Sequence, residues 1–400
     1  MPDPRVDLTY VAKNVGPTSR KTCGTCHFSG GGGDAVKHAD MSADLYWPDR
    51  NCDIHMGGYD FSCVECHKTR NHKISGRSTS APVAEGSRAC EDCHTSEPHY
   101  GDTLLDHHLN KHCATVACNT CHSPVYSKCA PTKTWWDWST AGDKKRAVNK
   151  DKYGKDDYNW KKGTFRWKES AKPEYAWYNG FMKRLLLGDP ISSEAKGFRP
   201  GETLTDEEKD RLVRTNITEP IGTIEDPHSR ITPFKIMSGI QPADAQHRYL
   251  LTPHLYPYNK EDKLAYWKGV NWQDAFVEGM KKAKLPYSGE YLWVATNMYW
   301  RIEHEVMPKE NALSCAHCHE SLKGERACDR CHQDSRGAQF RQLVEQGTDF
   351  QLLQMMGRDV GDLIGTTDYI DFRKLGYKGD PIIHGGRFKK LPLGFGTTQN

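Results

Sequence analysis

Long apolar runs are missing from this chain. No window of its 400 residues approaches the ~20 consecutive apolar residues that a membrane-spanning helix needs. With a mean hydropathy of −0.78, the reading is of a chain without a membrane span. Aliphatic core material is scarce too. The apolar class makes up 36% of residues, below the usual globular share. Nor is there a dominant charge of one sign. The 55 Lys and Arg against 52 Asp and Glu leave a net +3. The basic residues read as scattered, in short runs such as Lys144-Lys145-Arg146 and Lys161-Lys162, which gives no footprint for nucleic acid. Low-complexity linkers are absent, because the Gly30–Gly33 run is too short to separate domains. Disorder is excluded by the 11 Trp, 18 Tyr and 12 Phe, far too many aromatics for a solvated chain. Something other than aliphatic side chains must fill the interior.

What is abundant is histidine and cysteine, 19 and 15 residues. Six cysteine pairs share one spacing, and each is followed at once by histidine. They are Cys23-Gly-Thr-Cys26-His27, Cys63-Val-Glu-Cys66-His67, Cys90-Glu-Asp-Cys93-His94, Cys118-Asn-Thr-Cys121-His122, Cys315-Ala-His-Cys318-His319 and Cys328-Asp-Arg-Cys331-His332. This is the attachment signature of c-type haem. Two thiols add across the two vinyl groups on one porphyrin edge, and the next imidazole reaches the iron from one face. Structural zinc has no use for a histidine after every second cysteine. Six such placements by chance have a probability of roughly 10⁻⁸ at this histidine content. Ferredoxin-type clusters need three or four cysteines in one run, which is absent. The expectation is six covalent haems.

Six porphyrins supply the missing apolar bulk. They also shift the net charge from +3 to roughly −3 when ferric and roughly −9 when fully reduced, with propionates counted as ionised carboxylates. Covalent haem is attached outside the cytoplasm, so a periplasmic or extracellular location is expected. Residues 1–22 contain no apolar signal core or small-residue cleavage site. The sequence therefore reads as a mature or truncated form, or one with a misassigned start. Three cysteines remain. A Cys113–Cys129 disulfide bracketing the fourth motif suits an oxidising compartment, with Cys52 left as a free buried thiol.

The chain divides into residues 1–22, a four-haem region 23–134, an aromatic-rich haem-free middle 135–314 and a two-haem C-terminal region 315–400. Thr205-Asp-Glu-Glu208 forms a capping box for a short helix through Val213. Asn271 caps a helix through Ala283, with Trp272, Phe276, Met280 and Ala283 on one stripe. Ser288–Met307 reads as a helix ended before Pro308, and residues 337–356 as another. The N-terminal haem region reads as coil with short helices. The expected fold class is mainly α with extensive coil, organised around closely packed haems.

His27, His67, His94, His122, His319 and His332 are the proximal iron ligands. Low-spin electron-transfer haems need a second axial ligand, normally histidine. The candidates are His38, His55, His72, His99, His108, His112, His254 and His304, with one of the neighbours His107 and His108 expected to bind. An enzyme needs an iron with an exchangeable position, and a desolvated lysine can mark it, because burial lowers its pKa. Lys37 follows His27 by ten residues across the flexible Gly30–Gly33 turn, which allows it to return over the first haem. A solvated lysine is the alternative.

The stretch Cys23-Gly-Thr-Cys-His-Phe-Ser-Gly-Gly-Gly-Gly-Asp-Ala-Val-Lys-His-Ala-Asp40 resembles the octahaem tetrathionate reductase family of exported multihaem cytochromes. So do Asp53-Ile-His-Met56, Trp135-Trp-Asp-Trp-Ser-Thr-Ala-Gly142 and Pro173-Glu-Tyr-Ala-Trp-Tyr-Asn-Gly180. Further matches are Pro233-Phe-Lys235, Pro253-His-Leu255, Pro308-Lys-Glu310, Leu375-Gly-Tyr-Lys-Gly-Asp-Pro-Ile382 and Gly385-Gly-Arg-Phe388. The resemblance covers nearly the whole chain from residue 20. It implies closely packed haems, one of them catalytic, with a lysine ligand and an open distal face. It also implies action on tetrathionate and, more broadly, nitrite and hydroxylamine. Carried onto this chain, the catalytic haem is that of Cys23/Cys26 and Lys37 its lysine ligand.

The family pattern has eight haems where this chain has six motifs, so N-terminal haems are missing. Residues 320–368 look like an insertion. The expected partners are a small-anion substrate and a redox protein or quinol-linked donor, within an oligomer or larger cytochrome complex. The competing reading is a non-catalytic electron-transfer cytochrome, a subunit of a larger complex or haem filament.

Overall fold

The structure is a computed structural model that describes residues 7–13, 15–71, 73–74, 88–101, 103–319 and 369–384. Its middle is built on one mixed sheet of eight strands. In chain order these are β1 (Thr132–Asp137), β2 (Tyr158–Asn159), β3 (Gly163–Lys168), β4 (Glu174–Tyr178), β5 (Phe181–Arg184), β6 (Thr215–Ile221), β7 (Arg230–Asp244) and β8 (Tyr291–Arg301). Across the sheet they run β2-β3-β1-β7-β8-β6-β5, with β4 also paired to β7. The fold is therefore mixed α/β, not the mainly α fold expected from the sequence.

The 15-residue β7 is the spine. One edge pairs antiparallel with β8, from Phe234↔Arg301 to Asp244↔Tyr291. The other edge is shared. β4 runs antiparallel along Arg230–Phe234, then β1 runs parallel along Ser238–Ile240. Proline removes a ladder donor and is confined to positions that face no strand on one side. Pro233 meets β4 but lies outside the β8 pairing, and Pro242 meets β8 beyond the reach of β1. Each proline thus sits where β7 has a single strand neighbour.

The expected Ser288–Met307 helix is instead strand β8 followed by coil. Val294 to Thr296 are all buried, because both faces of this central strand are covered. Period-two alternation is therefore lost, and the run imitates a buried helix. The aromatic and β-branched content of Tyr291-Leu-Trp-Val-Ala-Thr-Asn-Met-Tyr-Trp300 was the signal for a strand. Trp135, Phe198, Ile240, Trp293 and Ala295 pack as one core around this sheet, each large side chain contributing about 2–3 kcal/mol of burial.

The two capped helices are present, spanning Asp206–Arg211 and Trp272–Ala283. Thr205 accepts the Glu208 amide at 3.2 Å, and Glu208 accepts the Thr205 amide at 2.8 Å. The first helix is tied to β1 by a buried ion pair, Lys209 Nζ to Asp137 Oδ2 at 2.8 Å. The N-terminal haem region is coil with short helices and a two-stranded ribbon, Thr69–Arg70 with Lys73–Ile74. The helix expected over 337–356 lies outside the described residues. The Tyr369–Tyr377 segment packs against Val125, Trp177, Met307 and Leu313, and Trp177 Nε1 donates to the Leu375 carbonyl at 2.8 Å.

The disulfide differs from expectation. Cys129 pairs with Cys52, at a Cα–Cα distance of 5.7 Å, and not with Cys113. Asp49 Oδ1 accepts the amides of Asn51 and Cys52, and Lys128 Nζ donates to the Asn51 carbonyl at 3.1 Å, fastening both sides of the bridge. Cys113 ends the helix Leu104–His112 and hydrogen-bonds Cys118. Cys52 is thus not a free thiol.

Candidate haem centres

Five of the six motifs lie in the described residues, and each cysteine pair sits on a short helical turn. These turns are Arg20–His27, Cys63–Cys66, Glu91–His94 (with Cys90 at its N-cap), Cys118–His122 and Cys315–Cys318. On a helix, residues three apart share a face, so the spacing presents two thiols side by side. Ser19 caps the first turn through a reciprocal box with Thr22. His317, inside the fifth motif, accepts the Ser314 amide at Nδ1 at 3.0 Å and so belongs to that turn's cap. The motif Cys328, Cys331, His332 and the candidate ligand His72 lie outside the described residues.

Attachment turns meet in chain order. Cys63 hydrogen-bonds Cys23, Cys93 bears on Cys66, Cys90 hydrogen-bonds Cys118, and Cys315 bears on Cys121.

Three motif histidines face a second imidazole. His94 and His55 have ring centroids 6.0 Å apart, His67 and His304 6.0 Å, and His319 and His112 6.2 Å. A metal–imidazole bond of ~2 Å on either side of an iron sets trans rings about 6 Å apart between centres. The interplanar angles of 29° to 68° are compatible, because trans rings rotate about their shared axis. These residues fit the group the motifs call for.

Ring orientation is fixed from behind, as metal-binding histidines require. Asp40 Oδ2 takes the amides of Glu303 and His304 at 2.6 and 2.8 Å, and His304 Nδ1 at 3.1 Å. His319 Nδ1 meets Asp380 Oδ1 at 2.8 Å, and His112 Nδ1 meets the His108 carbonyl at 2.9 Å. In each case Nε2 is left for a metal. Burial pushes the Asp40 carboxyl up, but His304 and the two amides outweigh it and hold the group ionised. His55 is placed by Asp53, which accepts the His55 and Met56 amides at Oδ1 and the Val306 amide at Oδ2.

The remaining candidates divide. His99 is clamped by Asn110, its amide and Nδ1 meeting Asn110 Oδ1 at 3.1 and 3.0 Å. It lies close enough to lower the pKa of His122, whose main perturbation is burial. His38 packs edge-on against Trp300 at 4.5 Å, and burial pushes its pKa down to about 4 despite Asp40. His254 directs Nε2 to Asp262 at 2.8 Å and stacks on Tyr258; the structure does not bring it against a motif histidine. His108 contributes its carbonyl to His112.

Lys37 lies in the loop after His27, where burial lowers its pKa. Gly31 has φ +83°, and a Cβ there would stand 2.5 Å from Lys37 Cδ, so the glycine makes room for the lysine stem. Behind the loop, the fully buried Lys235 Nζ donates to the carbonyls of Val36 and Lys37 at 2.9 and 2.8 Å and to Thr132 Oγ1 at 2.6 Å. Three acceptors match the three donors of an ammonium, a feature the sequence alone did not flag. Lys37 borders a cavity of about 440 Å³ walled by Trp136, Trp138, Met237 and Met298. Trp136 and Trp138 stack at 4.8 Å.

Paired thiols on helical turns, imidazoles spaced for an iron and buried carboxylates behind them define a c-type cytochrome with several covalently bound haems. The family described as "Cytochrome c bacterial" matches residues 133–322. The crystal structure of octaheme cytochrome c from Shewanella oneidensis is 35% identical with a TM-score of 0.70, over 94% of this chain and 70% of that one. No curated protein matches. The chain belongs to the bacterial multihaem cytochrome c family, and haem c is its covalent cofactor. Among the described residues no helix is long and apolar enough to cross a membrane.

Proposed function

We propose that the chain is an exported multihaem reductase that passes electrons to a small sulfur or nitrogen oxyanion at the haem of Cys23/Cys26, where Lys37 would hold the iron on one face in place of His27 and leave the other face to the oxyanion. The observation that carries this reading is Lys37 itself. Its half-buried stem crosses Gly31, its carbonyl is anchored by Lys235, and it borders the Trp-walled cavity. Desolvation favours the neutral amine, whose lone pair is what a metal ligand needs.

Bound haem supplies one-electron chemistry and an iron that can take an oxyanion. The protein's share is positional. His55/His94, His67/His304 and His112/His319 would hold an iron with two imidazoles each, which would suit relay. The ordered contacts between attachment turns would set the haems in one series with the Lys37 site at its end. Trp136 and Trp138 form part of the cavity wall beside Lys37. Export is supported by the Cys52–Cys129 disulfide, a bond that persists in oxidising compartments.

Dye-linked assays with tetrathionate, nitrite and hydroxylamine test this. Turnover of at least one, lost in Lys37→Ala, is expected. Absence of turnover with all three, in protein whose haems reduce, leaves the electron-transfer cytochrome in its place. The paired imidazoles are the observation that favours that second reading.

A further inference from the structure

The positive charge of this chain is concentrated on one hairpin. Residues 144–168 hold ten Lys or Arg against three Asp, a net of +7. The chain as a whole nets +3, so all other residues together carry −4, before haem propionates add roughly −1 per ferric haem. The short runs at 144–146 and 161–162 are thus parts of one surface, gathered around β2 and β3 at the sheet edge.

That surface is exposed and organised. Every residue from Asp143 to Lys150 is exposed. Beneath the cations lie flat rings: Lys144 Nζ is 4.8 Å and Lys161 Nζ 5.4 Å from the Trp160 ring centre, and the Arg146 guanidinium is 4.2 Å from that of Tyr158. Cation–π contacts of this kind hold long side chains splayed over a surface. Among the described residues, the hairpin's ion pairs are Lys150–Asp156 and Arg166 with Asp206 and Asp210.

Two simpler roles do not account for it. Lysines often guard an edge strand against strand addition, but edge strand β2 is two residues long, Tyr158 and Asn159, and has no lysine. A funnel for small anions needs charge inside a cleft, yet none of the ten basic residues borders the cavity beside Lys37.

The hairpin is also joined, through Trp136 of β1, to the loop that follows the first attachment turn. Trp136 Nε1 donates to the Lys162 carbonyl at 2.7 Å. The other end of that ring lies 3.4 Å from where a Cβ on Gly32 would stand, in the loop directly after His27.

We propose that this hairpin is the docking surface for an acidic electron-transfer protein, which exchanges electrons at the Cys23/Cys26 end of the haem series. One electron passes from the reduced partner to the oxidised cytochrome, and no bond is made or broken. The proposal does not depend on which oxyanion, if any, is reduced.

Stopped-flow reduction of the haem-loaded protein by a reduced acidic flavodoxin tests it across ionic strength, with the neutral flavin lumiflavin as the second reductant. Lys144→Glu/Lys145→Glu/Arg146→Glu is expected to slow the flavodoxin reaction at least ~10-fold at low salt and to flatten its salt dependence. The lumiflavin rate should not change, and neither rate should change in Lys281→Glu on the Trp272–Ala283 helix. A flavodoxin rate indifferent to the charge reversal overturns the proposal, and so does equal slowing with both reductants. Weakened nitrite binding in the triple variant with an unchanged flavodoxin rate also overturns it, in favour of small-anion capture.

Discussion

Asp40 accepts both the main-chain amide of His304, at 2.8 Å, and its Nδ1, at 3.1 Å. The ring it orients faces His67 with 6.0 Å between centroids. A buried carboxylate between the first and second motifs thus orients the imidazole that faces the histidine of the second motif.

His304→Ala is expected to turn the Cys63/Cys66 haem from low-spin to high-spin. Asp40→Asn should keep the ligand but raise that haem's reduction potential by roughly 60 mV, a tenfold change in a one-electron equilibrium, because the ring loses its carboxylate partner. His254→Ala should leave the low-spin content unchanged, since its Nε2 is committed to Asp262. Magnetic circular dichroism with a redox titration reads all three.

The five attachment turns among the described residues were legible, because two thiols and an imidazole at fixed spacing are a local feature. The caps at Thr205 and Asn271 were legible for the same reason. The sheet was not. β8 hid its period by being buried on both faces, and β7 carries Pro233 and Pro242, residues that argue against a central strand unless each has a strand on one side only. His55, His112 and His304 are recognisable as candidates from their polar surroundings, but which motif histidine each ring faces depends on tertiary contacts with Asp53, the His108 carbonyl and Asp40. Cys52 was misassigned because a bridge across 77 residues leaves no trace in spacing.

Loss of the Cys52–Cys129 bridge should destabilise the oxidised protein markedly. Closing a loop of 77 residues is worth up to ~4.5 kcal/mol by chain entropy. Cys52→Ser is expected to lower Tm by several degrees, and Cys113→Ser to leave it near wild type. Thermal melts of the haem-loaded variants make the comparison.

Lys133 should give stability a distinctive pH dependence. Burial, then Lys162, pushes its pKa down to about 7 from an ordinary 10.5, although Phe165 and Trp136, at 3.2 and 4.2 Å from its Nζ, favour the ammonium. Between about pH 7 and 10.5 the unfolded chain binds more protons at this residue than the folded one, so stability rises with pH through that window. Below it, the lysine is charged in both states and its burial penalty is fully present. Lys133→Met should be more stable than wild type near pH 6, with the gap narrowing as pH rises. Denaturant unfolding at a series of pH values measures it.

Six complete motifs predict six covalent haems. Intact mass with denatured pyridine haemochrome spectra should return six per chain. Four or fewer sinks the motif assignment.

The account turns on one iron that differs from the rest. Electron paramagnetic resonance of the oxidised protein, wild type beside Lys37→Ala, addresses it directly. The prediction is low-spin imidazole-ligated signals together with one distinct high-spin or lysine-ligated component, and only the latter changes in the variant. Haems that are all low-spin and bis-imidazole, with a spectrum that Lys37→Ala leaves unaltered, would contradict it.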